Sequence, residues 1–335
     1  MYFVDNQDIT DPSINIALET HLVENCRSDE PLLLFYINRP SIIIGRNQNT
    51  IEEINQPYVE AQGIQVVRRM SGGGAVYHDL GNLSYCFIQN GSGMARDFSA
   101  FTRPVLAALH QMGATGAVLE GRNDLLIEGR KFSGNALYTR HGRLTAHGTL
   151  LFDSNLDEVT AALKPRADKI ESKGVKSVRS RVTNLKPWLA PEWQGLDTRG
   201  LRDQLLLKLF DVQDLADVPR FALTDDDWQA VERIRAERFG NWDWNYGRSP
   251  AFSSERYRKF PIGSIQFRFD VAGGTIRQIR IYGDFFGMGD IADVERRLTG
   301  VTYRRDTIRA AFEDLDLTTY FGNIDAEALT DLLVG

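Results

Sequence analysis

Arg68-Arg69-Met70-Ser71-Gly72-Gly73-Gly74 sets two cations and a hydroxyl beside three residues that have no side chain. Two readings are open. Glycine enters positive φ without steric cost, so the run can be a tight turn. Bare backbone N–H groups also make a concave anion site, with Arg68 or Arg69 supplying charge. The run is not a phosphate loop ending in Gly-Lys-Ser/Thr, nor Gly-x-Gly-x-x-Gly opening a helix. The β-favouring Ala75-Val76-Tyr77 follows it, so no helix dipole would point at a phosphate.

A second cluster lies in "GRNDLLIEGRKFSGNAL", residues 121–137. Asn123 and Asp124 start one expected strand, and Lys131 opens the next across a turn at Gly129-Arg130. A hairpin brings the lysine beside the Asn-Asp pair, with the register open. The alternative is a solvated surface lysine. His147 is open between a ligand contact, an acid–base group and a hydrogen-bonded core histidine, and so is His78. The third cluster, 164–186, holds eight basic and two acidic residues, a local charge of +6 in a chain of net charge −6. It is either a solvated loop or a mobile segment able to close over a polyphosphate.

These clusters need elements to hold them. Asp11-Pro12-Ser13 reads as a helix start, with Ile14, Ala17, Leu18 and Leu22 on one face. "LLLFYI" (32–37) and "SIIIG" (41–45) read as buried strands around an Asn38-Arg39-Pro40 turn. The pattern predicts a helix over 51–62, then a strand, "IQVVRR", leading into the glycines. "AVYHD" and "LSYCFIQ" predict a hairpin about Leu80-Gly81-Asn82. A helix is expected from Phe98 to Met112, a strand meander over 117–152, and helices at 155–163, 198–212 and 225–239. "NWDWNYGRSP" (241–250) breaks the periodicity and divides the chain at 1–245 and 251–335. Beyond it, "SIQFRFDV" alternates like a strand buried on one face. Strands mixed with helices, without strict βαβ alternation, predict an α+β fold.

Composition narrows the function. A net charge of −6 argues against general nucleic-acid binding, which needs a basic footprint. No apolar run approaches the roughly 18 residues of a membrane span. The first residues lack a basic stretch followed by an apolar one, and Cys26 and Cys86 are too few for a disulfide framework. The expectation is a reduced, cytoplasmic setting.

Taken together, Arg68–Asn82, Gly121–Leu125, Lys131–Gly134, His147–Leu151 and Lys173–Asn184 resemble the lipoate–protein ligases in order and spacing. These belong to the wider biotin/lipoyl ligase and octanoyltransferase superfamily. "NWDWNYGRSPAF" resembles the family's junction between catalytic and accessory domains. The resemblance implies mixed sheets flanked by helices, as in class II synthetases and biotin ligases, with a small α+β C-terminal accessory domain. It implies ATP-dependent conversion of lipoate to lipoyl-AMP with release of pyrophosphate. The lipoyl group then passes to a lysine of a lipoyl-domain acceptor: a 2-oxoacid dehydrogenase E2 subunit or the glycine-cleavage H protein.

By that resemblance, lipoate contacts Ile16, Ile43, Arg69, Ser71, Gly72, Gly73, Gly74, Val76, His78, Lys131 and His147. ATP and the adenylate contact Arg69, Gly74, Ala75, Val76, Tyr77, Asn123, Asp124, Lys131, Lys173, Gly174, Val178 and Arg181. Lys131 is the implied catalytic residue and Asp124 the implied carboxylate for Mg²⁺. On this reading the glycines let the backbone approach a thin acyl chain and its activated carboxyl end. An octanoyl or lipoyl transferase, taking its acyl group from a carrier protein without ATP, is the rival within the superfamily. One transferase branch uses a cysteine in the loop after the meander, and no cysteine follows Cys86 here. A binding protein without catalysis is the rival of another class.

Overall fold

Residues Leu32–Ile37 are apolar at every position because both faces of the strand they form are covered. The computed structural model describes residues 1–91, 98–121, 123–163, 181–246 and 253–334. Its large mixed sheet runs β11 (Arg220–Phe221), β1 (Tyr2–Val4), β2 (Leu32–Ile37), β6 (Asn82–Asn90), β10 (Arg143–Leu151), β9 (Arg130–Arg140), β8 (Asp124–Ile127), β7 (Ala117–Glu120). The pairs at β1 are parallel and the others antiparallel. On one face, Leu33 and Phe35 pack with Phe101 and Val105 of helix Ser99–Gln111 and with Leu201 and Leu205 of helix Thr198–Phe210. On the other, Leu32, Leu34 and Tyr36 pack with α1 (Pro12–Glu24) and with Val231 and Ile234 of helix Asp225–Ile234.

Asp11 caps α1 by accepting the Ser13 N–H, and Pro12 occupies the first turn, where no helical donor is needed. The expected single apolar face is too narrow a description. Asn15, Glu19, Thr20 and His21 are as buried as Leu18. Helix Asp225–Ile234 covers what would have been the solvent side, and Asp227 of that helix meets His21 Nε2 at 2.9 Å. The polar face of α1 is turned to partners inside the protein.

A second sheet sets β3 (Ser41–Ile44) between β4 (Gln65–Arg68), parallel to it, and β5 (Val76–His78), antiparallel. Two expectations are corrected here. β5 and β6 form no hairpin: His78 pairs with Ser41 in the small sheet, while β6 pairs with β2 and β10 in the large one. The turn at 79–81 carries the chain between sheets, its Gly81 carbonyl accepting from Phe152 and Asp153. Turn residues report a change of direction, not which strands pair. The helix expected over 51–62 is two, Thr50–Glu53 and Gln56–Ala61, with Ile54 extended between them. Pro57 lacks the N–H that would have continued the first helix.

β12 (Ser254–Phe260), β13 (Gly263–Ala272) and β14 (Thr275–Gly283) form an antiparallel meander. Ile265, Phe267 and Phe269 enter its core with Val294, Ile308, Phe312 and Leu329 of the last helices. This C-terminal domain touches the rest through Gly283 N–H on the Asn47 carbonyl (2.8 Å) and Arg46 on Asp290 (3.0 Å).

One side chain joins the parts that surround the glycine run. Arg68 is 1% exposed, and its guanidinium donates to the carbonyls of Gly45, Arg46, Gln48, Trp244 and Asn245 and to the Thr50 hydroxyl. Removing it orphans several buried carbonyls, each costing about 1–3 kcal/mol. Arg68→Met is therefore expected to lower unfolding stability by at least about 3 kcal/mol, read from the urea midpoint. A loss under about 1 kcal/mol would show that water replaces the guanidinium.

Candidate functional site

A cavity of about 120 Å³ opens between the two sheets. That is close to the roughly 150 Å³ that holds one benzene, so its enclosed part suits a slim chain. Apolar side chains of Ile16 from α1, Ile43 from β3 and Val76 from β5 line it, with Ala136 from β9. Polar groups converge on it as well: Arg69, His78, Asn123, Lys131 and His147. Exposure grades along it. Lys131 and Asp124 are over a third exposed at one end, whereas His78, Tyr36 and Glu19 are buried.

The glycines are there for two different reasons. A Cβ on Gly72 would lie 2.4 Å from the Phe285 carbonyl oxygen, and one on Gly73 (φ +91) would lie 2.8 Å from the Phe286 ring. Both residues belong to the C-terminal domain. Only Gly74 of the three has open space where a Cβ would stand. The expectation that all three clear room for a ligand is thereby revised: the first two clear room for protein. Arg69 fastens the loop from inside, donating to the carbonyls of Ile43, Gly72 and Gly74 and to Ser71 Oγ. Burial pushes its guanidinium down to about 10, against the pull of Tyr36 and Glu19, which leaves it charged at neutral pH.

Ser71, His147 and Glu19 stand in a row. His147 Nδ1 lies 2.7 Å from Glu19 Oε1, and its Nε2 lies 2.6 Å from Ser71 Oγ. With the Glu19 oxygen accepting from Nδ1–H, Nε2 accepts from the serine hydroxyl; the tautomer is assigned from these partners. The arrangement is that of a hydrolase triad in outline. Its serine, however, is 1% exposed and does not line the cavity, so no substrate carbonyl reaches it. The row holds the glycine loop against β10.

At the exposed end the hairpin register is Leu126 opposite Lys131, with a bulge between Leu125 and Leu126. Lys131 Nζ lies 2.8 Å from Asp124 Oδ1. Asn123 Nδ2 donates to the Asn135 carbonyl at 2.6 Å, fixing the start of β8 to β9. Thr183 N–H donates to the Lys131 carbonyl at 2.9 Å, so the end of the basic segment returns beside the lysine.

Of the residues expected at the site, Ile16, Ile43, Arg69, Gly73, Gly74, Ala75, Val76, His78, Asn123, Lys131 and His147 line the one cavity. Ser71, Gly72 and Asp124 stand behind or beside it. Tyr77 does not reach it: alternation along β5 turns it into the core of Ile42, Ile44 and Val59. Arg181 is exposed, and Lys173, Gly174 and Val178 lie outside the described residues. Sequence reasoning missed Glu19, Tyr36, Ser84, Asn135 and Phe286. Glu19 had a signal, since it falls three residues after Ile16 on the same helix face.

A narrow cleft with an apolar wall, fixed cations and an exposed lysine defines a site for a slim carboxylic acid. Comparison with known proteins specifies the kind. The profile of the lipoyl protein ligase A/B catalytic domain matches residues 11–209, and that of the bacterial lipoate protein ligase C-terminus matches 249–333. Lipoate-protein ligase LplJ of Bacillus subtilis is 50% identical over 334 residues, 99% of this chain and 100% of that protein. The fold is shared with P. falciparum LipL1, solved with lipoate, at TM-score 0.76 and 24% identity, covering 100% of this chain and 98% of that one. It is shared too with a bipartite lipoate protein ligase of Thermoplasma acidophilum, described with its E2 lipoyl domain, at TM-score 0.62 and 25% identity, covering 76% and 98%. The chain belongs to the lipoate–protein ligase family.

His78 gives the site a pH signature. Burial, then the charge of Arg69, push its pKa down to about 3 from 6.5. Between those values the unfolded chain takes a proton that the folded chain refuses. The stability His78 contributes is thus complete above pH 6.5 and lost as pH falls toward 3. His78→Gln should flatten the fall in urea midpoint between pH 7 and pH 4 relative to the parent. Parallel curves would mean that His78 charges in place.

Proposed function

We propose that the chain is an ATP-dependent lipoate–protein ligase that forms lipoyl-AMP, releases pyrophosphate, and passes the lipoyl group to a lysine of a lipoyl-domain protein. The observation that carries this is Lys131 at the exposed end of a slim, largely apolar cavity, beside the glycine loop. Two anions must meet for the adenylate to form, and fixed positive charge lowers the cost of their approach. Preorganised electrostatics of this kind is usually the largest catalytic contribution. Lys131 faces the reacting carboxyl group. Arg69 acts through its charge, because most of its donors are turned to its own loop. N–H groups of Gly72–Gly74 add donors. Asn123, Ala75 and Arg181, with Lys173, Gly174 and Val178, complete the adenylate contacts.

Asp124, a half-exposed carboxylate beside Lys131, suits Mg²⁺, which takes one or two carboxylates and otherwise phosphate and water. The ion would neutralise phosphate charge there. We assign 1–245 to the catalytic domain and 251–335 to the accessory domain. E2 subunits of 2-oxoacid dehydrogenases and the glycine-cleavage H protein are the proposed acceptors, in the cytoplasm. Among the described residues no helix is long and apolar enough to cross a membrane.

The test is pyrophosphate release with ATP, Mg²⁺ and lipoate, with and without a lipoyl domain. Absence of release in both would end the ligase reading. Lys131→Ala is expected to keep the parent's urea midpoint and to slow adenylate formation roughly 10²–10³-fold, the scale of removing one preorganised stabiliser. Near-parental rates would make the lysine a bystander.

The transferase branch that uses a cysteine needs a reactive thiol. Cys86 is fully buried with its pKa pushed well up by burial, and burial raises Cys26 to about 11. The thiolate is the nucleophile, so neither presents one near neutral pH. Incubation with an octanoylated carrier protein should leave both cysteines unacylated by mass spectrometry. A trapped thioester on either would move the assignment to a transferase.

A further inference from the structure

Three asparagines with no solvent to bind form a directed chain behind the cavity. Asn6 Nδ2 donates to Asn15 Oδ1, Asn15 Nδ2 to Asn38 Oδ1, each at 2.9 Å, and Asn38 Nδ2 lies 3.0 Å from His78 Nδ1. Amide orientation is ambiguous when only such links exist. Here the Ile9 carbonyl removes the ambiguity. It can only accept, and both Asn6 Nδ2 and Asn15 Nδ2 lie 2.9 Å from it. The links from Asn6 to Asn15 to Asn38 thereby all donate in the direction of His78, whose Nδ1 must accept. The neutral imidazole then carries its proton on Nε2.

That Nε2 is buried and has no hydrogen-bond partner among the described residues. His78 is 3% exposed and lines the cavity. Its neighbours there do not use the donor: Tyr36 gives its hydroxyl to Glu19, and Ile16, Ile43 and Val76 are apolar. A buried donor that no described protein group pairs is paired when the ligand supplies an acceptor.

With the carboxyl end of an acyl chain at Lys131, the buried end of the cavity meets the chain's far end. Lipoate ends in a dithiolane ring whose two sulfurs are weak acceptors; octanoate, of equal chain length, ends in hydrocarbon. We infer that His78 Nε2–H donates to a dithiolane sulfur and so selects lipoate over octanoate, with Asn38, Asn15 and Asn6 as positioning residues that fix its tautomer. This rests on the lipoate ligase reading above. Octanoate would seal the donor away from water with nothing to accept from it, and a site that pays this cost discriminates against the ligand that causes it.

The experiment measures kcat/KM for lipoate and for octanoate by pyrophosphate release with the full chain, and takes their ratio, which is independent of the fraction of active protein. His78→Leu is expected to lower the lipoate preference about tenfold, mainly by raising KM for lipoate, the worth of one hydrogen bond. His78→Gln, whose amide also donates, should recover part of it. An unchanged ratio in His78→Leu, or equal losses for both acids, overturns the inference and leaves the ligase reading intact. No pyrophosphate from the parent with either acid would instead sink the ligase reading. A second measurement needs no variant: with ¹⁵N-histidine, the Nε2–H resonance of His78 should shift on adding lipoate and not on adding octanoate. Asn38→Asp, whose carboxylate accepts from Nδ1, should remove that resonance and lower the ratio together. A parental Nε2–H signal unmoved by lipoate overturns the inference.

Discussion

The buried guanidinium of Arg68 is the tie on which the rest of the site depends. It gathers carbonyls from 45–48 and from 244–245 around the end of β4, and Trp244 returns a bond from its indole N–H to the Arg68 carbonyl at 2.8 Å. Backbone carbonyls in a bend have no partners of their own, and a delocalised cation with five donors can satisfy several at once. Arg69 follows on the opposite side of the strand and does the same for the glycine loop. Two adjacent arginines thus hold two loops in place, one on each side of a single strand end. The cavity lies on the Arg69 side, lined by Gly73 and Gly74 of the loop that Arg69 holds.

The ionisable groups around the cavity are arranged so that its charge is fixed rather than adjustable. Arg69 stays cationic and His78 stays neutral. Tyr36 is pushed well up by burial and by Glu19. An anionic ligand therefore enters a field that does not need to reorganise. The movable charge sits at the exposed end, where Lys131 can exchange Asp124 for a ligand at little cost because a half-exposed pair is worth little.

What the sequence disclosed followed from local rules. Alternation gave β13, the Asp11 cap gave the start of α1, and the Gly129-Arg130 turn put Lys131 beside Asp124. The motif residues on β3, β5, β9 and β10 do meet at one cavity. What stayed hidden was which element covers which face. His21 reads as solvent-facing until helix Asp225–Ile234, some two hundred residues later, closes over α1 and sets Asp227 on it. Tyr77 belongs to the same stretch as Val76, yet a strand sends neighbours to opposite sides, so continuity of a motif is not continuity of a surface. Phe285 and Phe286 carry no local mark of their contact with Gly72 and Gly73.

That last contact bears on how the protein is made. Synthesis delivers the chain from its N-terminus, and domains fold as they emerge. The two sheets that flank the cavity, α1 and both arginines are complete once residue 245 is out of the ribosome. One wall of the cavity, the Phe286 ring, arrives only with the C-terminal domain. A nascent chain halted before that point would carry the lysine and the glycine loop but an open-sided pocket. The enclosed site is therefore a property of chains in which the C-terminal domain has been made and has docked.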